Sequence, residues 1–270
     1  MARLDQELVT RGLARSRTHA AKLISDGKVS SGGTVLAKAS HQVDPETALH
    51  VESHLEDIYA SRAGHKLAGA LQAFPAVVVA GKRCLDAGAS TGGFTDVLLR
   101  QGAARVVAVD VGHGQLVPHL REDPRVDVHE GLNVRYMTPD QLGGPAGLTV
   151  ADLSFISLTL VLQPLAECTE PGGDLVLMVK PQFEVGKERL SRTGVVSSEN
   201  ERRRAVAQVA RAAVDAGLEL HDLAASPLPG QDGNVEYFLW MKRRMSAALP
   251  KIEERDEDVA ALIEKLWPNH

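Results

Sequence analysis

Apolar residues recur with two different periods along this chain, and the change between them falls near residue 60. In the first part, Leu4, Leu8 and Val9 share one face of a helix that Gly12 breaks. Ser16 is placed to cap a second helix running to Gly27, with Ala20, Leu23 and Ile24 turned inward. Residues 28–31 and 34–36, joined by Gly32-Gly33, read as a hairpin, and residues 48–51 as another strand. Two short helices and a small sheet are therefore expected over residues 1–58. The small-residue stretch Tyr59-Ala60-Ser61-Arg62-Ala63-Gly64 reads as a linker over 59–64. Residues 65–270 then alternate helical and strand patterns: helix 66–74, strands 83–86, 105–110, 126–129, 148–152 and 174–180, helices from Phe94, near Leu116, over 158–168 and over 199–216. Two closing strands, 218–225 and 235–241, follow each other without a helix, so the last is expected to be antiparallel. Seven strands alternating with helices predict a Rossmann-like, doubly wound α/β sheet. Val259, Leu262, Ile263 and Leu266 keep helical spacing and predict a terminal helix docked on that core.

Composition narrows the classes. The 270 residues have ordinary hydrophobic and charged content, 44% and 24%, and no run approaches the ~18 apolar residues of a membrane span. Met1 to Thr10 holds Asp5 and Glu7 and lacks an apolar signal segment, so a cytoplasmic protein without a membrane partner is expected. Cys84 and Cys168 have neither metal-ligand nor disulfide spacing and read as core residues; no metal is expected. A monomer is the working expectation. The net charge of -5 is unevenly spread: residues 1–40 carry seven Lys/Arg against three acids, whereas residues 41–60 carry five acids and no Lys or Arg. A basic patch in a small amino-terminal segment suits phosphate, although surface arginines also merely solvate a face. The order Arg-Leu-Asp, Gly-Leu-Ala-Arg-Ser-Arg, Ile-x-x-Gly-Lys-Val resembles the small RNA-binding module of a ribosomal small-subunit protein, tyrosyl-tRNA synthetases and some pseudouridine synthases. That resemblance implies RNA contact at Arg3, Arg15, Arg17, Lys22 and Lys28. The absence of interleaved aromatics favours recognition of RNA shape and backbone over base stacking.

Asp86-Ala87-Gly88-Ala89-Ser90-Thr91-Gly92-Gly93-Phe94 ends a strand and opens a helix, so its glycines let a ligand approach backbone amides. A dinucleotide site would want G-x-G-x-x-G, and a P-loop would want a lysine where Phe94 stands. Gly88-Ala89-Ser90-Thr91-Gly92 does satisfy G-x-S-x-G, the nucleophile elbow of serine hydrolases, but His221 lies within a strand pattern instead of a loop. An adenosyl ligand fits better: an acid two residues before the glycine, a loop of small residues, and Asp110 ending the next strand where ribose hydroxyls would lie. This pattern looks like an S-adenosylmethionine site. Asn133, after the third strand, is placed to approach the adenine or to make a turn.

Three further residues sit at or near strand ends. Leu148-Thr149-Val150-Ala151 delivers Asp152, Val176-Leu177-Met178-Val179 delivers Lys180, and Glu236 lies in the strand-like run 233–239. With Lys66 they form an acid/base constellation where open α/β sheets bind ligands, though an ion pair at a strand end is the plainer alternative. The fourth strand end reads Asp152-Leu153-Ser154-Phe155, unlike the Asn/Asp-Pro-Pro-Tyr/Phe of amino-methylating enzymes, and neither cysteine is placed for cytosine C5 chemistry. An oxygen acceptor remains, most naturally a ribose hydroxyl, which needs its proton removed or polarised. A free lysine is neutral only about once in 2,500 molecules at pH 7, so positioning the acceptor in line with the methyl is expected to matter as much as a base.

Ser61-Arg62, His65-Lys66-Leu67, the segment from Asp86 to Thr95, Asp110-Val111-Gly112, Asp152-Leu153-Ser154-Phe155-Ile156-Ser157, Lys180-Pro181-Gln182-Phe183-Glu184 and Gly233-Asn234-Val235-Glu236 together resemble one family across both domains. It is the TlyA family of ribosomal RNA cytidine 2'-O-methyltransferases, also labelled hemolysins. The resemblance implies a catalytic tetrad at Lys66, Asp152, Lys180 and Glu236. It implies an S-adenosylmethionine site that includes Asp86, Gly88, Ala89, Ser90, Thr91, Gly92, Gly93, Phe94, Asp110, Val111, Asn133 and Asp152. It further implies an RNA contact at Arg62 and cytidine targets in 16S and 23S ribosomal RNA of the 30S and 50S subunits. Ala60, Ala63 and Gly131-Leu132 depart from the residues expected there. An RNA-binding assembly factor with a spent pocket and a pore-forming hemolysin are the competing classes.

Overall fold

The computed structural model describes residues 2–14, 17–51, 58–186, 188, 190, 193–230, 232–246 and 251–268, and the chain forms two compact units, Met1–Ile58 and Tyr59–His270. In the first, β1 (Ala2–Arg3) pairs antiparallel with β4 (Gln42–Val43), and β2 (Val29–Ser31) lies between β3 (Thr34–Val35) and β5 (His50–Val51). The helices α1 (Leu4–Thr10) and α2 (Arg17–Ser25) bury Leu4, Leu8, Ala20, Leu23 and Ile24 against Val29 and Val43. Gly32 and Gly33, at φ 54° and 81°, make the two-residue turn that a hairpin of right-handed twist requires. Arg11 is structural: it donates to Glu7 and to the carbonyls of Asp44, Pro45 and Thr47. Arg15 and Ser16 lie outside the described residues.

The second unit runs α3 (Ala63–Ala73), β6 (Arg83–Ala87), α4 (Gly93–Arg100), β7 (Arg105–Asp110), α5 (Pro118–Arg121), β8 (Val126–Glu130), β9 (Ala146–Ala151), α6 (Leu162–Glu167), β10 (Thr169–Val179), α7 (Pro181–Glu184), α8 (Glu199–Asp215), β11 (Leu218–Ala225), β12 (Tyr237–Arg243) and α9 (Ile252–Leu266). Its seven-stranded sheet has the order β11-β12-β10-β9-β6-β7-β8, with β12 antiparallel to both neighbours. Alternate residues of β10 enter opposite cores, Leu175, Leu177 and Val179 on one face, Val176 and Met178 on the other. Cys84 and Cys168 are buried in those cores, as expected. The order reverses between β6 and β9, which opens a crevice at their carboxyl ends.

Two expectations are corrected. The helix expected over 158–168 splits into a 3-10 turn, Leu158–Leu160, and α6. Pro164 has no N–H to bond a preceding carbonyl, so the helix restarts and the proline falls in its first turn. Residues 59–64 are no free spacer: Ala60 N donates to Asp96 Oδ2 at 2.8 Å, Arg100 lies over the Tyr59 ring, and Tyr59 meets His65 edge-on. Small side chains there serve close packing, not flexibility.

Candidate functional site

The glycine loop begins where β6 ends. Gly88 sits at φ 87°, and a Cβ on it would lie 2.9 Å from the Asp152 carbonyl oxygen, so only glycine lets the two strand ends close. Gly88 N and Ala89 N both donate to Val109 O, which pins the loop to β7. Ser90 adopts φ 47°, the left-handed form that a hydrolase elbow also uses, but its hydroxyl donates to Gln115 Oε1 and not to a histidine. Asp110, at the end of β7, accepts from Ser90 N at 2.8 Å and Gly112 N at 2.7 Å.

These groups wall a cavity of about 540 Å³ that also takes in Val111, Asn133 and Asp152. Asn133 does both things its position allowed, because its Oδ1 caps the Val134–Tyr136 turn while the residue lines the cavity. Among the described residues no lysine or arginine lines this space, whereas Asp110 and Asp152 do. The second half of the loop does not reach it. Phe94 is buried 6.1 Å from Phe238, Gly92 is held under Leu116 and Leu120, and Gly93 faces Ser61 and Gly64. Thr91 points to solvent, and Ala89 is buried beside the cavity. Asp86 is fully buried with Oδ2 accepting from Thr95 Oγ1 at 2.6 Å; burial, with the nearby Asp152 charge, pushes its carboxyl up to about 7.

A second cavity of about 690 Å³ adjoins the first, and Ser154, Phe155 and Ile156 line both. Here the four scattered residues converge. Lys66 comes from α3, Asp152 and Lys180 follow β9 and β10, and Glu236 precedes β12. Because β12 is antiparallel, its amino end lies at the carboxyl ends of the parallel strands, with Tyr237 opposite Val179. Lys66 Nζ lies 2.5 Å from Glu236 Oε2, and Lys180 Nζ lies 2.6 Å from Asp152 Oδ1 while donating to Ser154 Oγ at 2.9 Å. Gln182 donates to the other Glu236 oxygen at 3.2 Å. Lys66, Lys180 and Glu236 are all buried, and two ammonium groups against two carboxylates offset the cost of burying each.

Several neighbours carry no sequence signal of their own. Phe155 is 92% exposed at φ 64°, its ring 5.4 Å from that of Phe183. Buried Asn234 accepts from Val196 N and donates to Gly194 O, fixing the approach to Glu236. Sequence spacing offers only their membership in the motif-like runs 152–157 and 233–236. In the first unit, Arg3 and Arg17 both grip Asp5, whose carboxyl they hold well below the usual range, and Lys22 is exposed. Arg62 belongs to the second unit and donates to Pro229 O.

Known proteins share this architecture. The FtsJ-like methyltransferase family model matches residues 59–243, and the S4 domain model matches residues 2–49. The 16S/23S rRNA (cytidine-2'-O)-methyltransferase TlyA of Mycobacterium tuberculosis is 55% identical over 248 residues, 92% of this chain and 92% of that protein. The chain belongs to the TlyA family of methyltransferases. YqxC of Bacillus subtilis is 41% identical over 238 residues, covering 88% of this chain and 84% of the relative. A solved structure of a Streptococcus thermophilus protein under a hemolysin name matches with a TM-score of 0.70 and 36% identity, covering 98% of this chain and 96% of that one. The fold expected of a TlyA-family chain, a seven-stranded methyltransferase sheet behind a small RNA-binding module, is the fold observed. Among the described residues no helix is long and apolar enough to cross a membrane.

Proposed function

We propose that this TlyA-family chain transfers a methyl group from S-adenosylmethionine to the 2'-oxygen of a cytidine ribose in ribosomal RNA of the 30S subunit, the 50S subunit or both. The observation that carries the reading is the Lys180–Asp152 pair standing at the wall between two adjoining cavities. The first cavity suits the cofactor. Among the described residues its lining carries carboxylates and no cation, which favours a sulfonium and an ammonium and disfavours a nucleotide phosphate. Asp110 keeps lone pairs for ribose hydroxyls beyond the two amides it accepts, and Asn133 and Val111 flank the adenine side. When bound, S-adenosylmethionine supplies an electrophilic methyl and departs as a neutral thioether.

The second cavity takes the acceptor. Lys180, acting as the neutral amine, accepts a hydrogen bond from the 2'-hydroxyl and receives its proton as the oxygen bonds to the methyl carbon, becoming the ammonium that the Asp152 carboxylate stabilises. Asp152 and Ser154 fix the direction of that amine. Lys66, paired with Glu236, holds the ribose from the opposite side, and the exposed Phe155 ring offers the cytosine a stacking surface. All these groups come from one copy of the chain. The S4-type unit supplies phosphate contacts at Arg3, Arg15, Arg17, Lys22 and Lys28, with Arg62 adding one from the second unit. Such work places the protein with ribosomes in the cytoplasm.

The test is transfer of labelled methyl to purified 30S and 50S subunits, with the product nucleoside identified. Cytidine 2'-O-methylation that falls about 100-fold or more in kcat in Lys180→Ala is expected. Label on a base would overturn the acceptor assignment. Cofactor binding without label on either subunit would favour an assembly factor.

A further inference from the structure

We propose that Glu184 is a positioning residue for this reaction: its side chain clamps the 152–158 segment and so keeps Asp152 and Ser154 against Lys180. The inference rests on the methyl-transfer reading above. Glu184 ends the one-turn helix α7 that begins directly after Lys180, and it is buried. Its Oε1 accepts Leu158 N at 2.8 Å and its Oε2 accepts the Ser157 hydroxyl, which in turn accepts Thr159 N at the start of the 3-10 turn. At the other end of the same segment, Ser154 Oγ accepts from Lys180 Nζ.

The segment is thus tied at both ends to one short stretch, Lys180 to Glu184. Between the ties, Phe155 is held at φ 64°, a left-handed conformation costly for a bulky side chain. Such strain persists only where the surroundings over-determine it. Cutting the Glu184 tie frees Phe155 to relax, and the relaxation passes to Ser154 and Asp152, one and three residues earlier. Burial pushes the Glu184 carboxyl above the usual range while its two donors pull it back, so the group is held for its geometry at an electrostatic cost.

Glutamine separates geometry from charge. In Glu184→Gln the amide oxygen keeps Leu158 N–H, and the amide nitrogen donates to Ser157 Oγ, whose own proton turns to Thr159 Oγ1, 2.7 Å away. In Glu184→Ala both bonds disappear.

Amide hydrogen exchange over 152–160 and steady-state transfer to ribosomal subunits would be measured on the full-length wild type and both variants. Circular dichroism would serve as the folding control. Glu184→Ala is expected to exchange faster at Leu158 and its neighbours and to lose about tenfold or more in kcat, with KM for subunits changed less than about threefold. Glu184→Gln should restore both. Unchanged exchange in Glu184→Ala would overturn the clamp whatever the activity. Faster exchange with full kcat, or Glu184→Gln as impaired as Glu184→Ala, would overturn the positioning role. A wild type that methylates neither subunit would instead overturn the function, and the exchange data would still decide the clamp.

Discussion

Directly beneath the glycine loop, the Asp86 carboxylate has one oxygen bonded to Thr95 Oγ1 and the other, Oδ1, buried without a partner among the described residues. Burial disfavours its charge and raises its folded value to about 7 from 3.8. Between those values the folded chain binds a proton that the unfolded chain has released, so this group's contribution to stability declines as pH rises from about 4 to 7. Asp86→Asn should therefore flatten the pH dependence of thermal melting over that range. The difference from wild type should be at most a few kcal/mol at ~1.4 kcal/mol per pKa unit, and equal slopes would refute the assignment. Asp86 also shows what a sequence hides at this scale. Strand patterns sufficed to bring Asp152, Lys180 and Glu236 to one sheet, whereas Lys66, which lies in a helix, joined them through the family resemblance. The same logic could not say that the Asp86 carboxyl is fully buried against Thr95, since a central strand is covered on both faces and its alternation marks no wet side. Glu184 escaped for a related reason: an acid ending a short turn looks like a solvated one until its two donors are seen.

The segment 59–64 lies close against the amino end of α4, with the backbone of Gly64 and the short side chains of Ser61 and Ala63 at Gly93. A Cβ on Gly93 would stand 2.3 Å from Ser61 Oγ, 2.9 Å from Gly64 N and 3.1 Å from Ala63 Cβ, and one on Gly64 would stand 3.0 Å from Gly93 O. Neither side can yield by turning a long side chain. Gly93→Ala should thus push the segment away and tilt the loop that runs back to Gly88. An overpacking cost of about 1–3 kcal/mol is expected, with weaker S-adenosylmethionine binding. Calorimetric titration beside a melting curve checks this; wild-type affinity with a lowered melting temperature would confine the contact to stability. Small residues in sequence suggest a flexible connection or a tight approach with equal force, which is why 59–64 reads as a linker until its neighbours are known. The antiparallel β12 was legible because two strand patterns meet without an intervening helix. The broken helix at 158–168 was legible only in the position of Pro164, whose effect depends on where the helix starts.

Over the whole chain, the net charge of -5 conceals a division of labour between two units. The cations of the basic amino-terminal unit are not equally free for RNA: Arg11 is spent on Glu7 and three carbonyls, while Arg3 and Arg17, though exposed, also share Asp5. Exposed Lys22 and half-buried Lys28 are then the cleaner probes of phosphate binding. Removing either cation should lower the steepness of log affinity against log salt by roughly one, because the phosphate it neutralised keeps its counterion. Lys22→Ala and Lys28→Ala should accordingly raise KM for ribosomal subunits, more at low salt than at high, and leave kcat within about twofold. Lys180→Ala should do the reverse, lowering kcat while keeping the salt slope. The contrast has force because both cavities and all four tetrad residues belong to the second unit. Lysine variants that lower kcat as much as Lys180→Ala would mean that RNA held by the first unit also shapes the reacting geometry, and the two units could no longer be treated as separate binding and chemical parts.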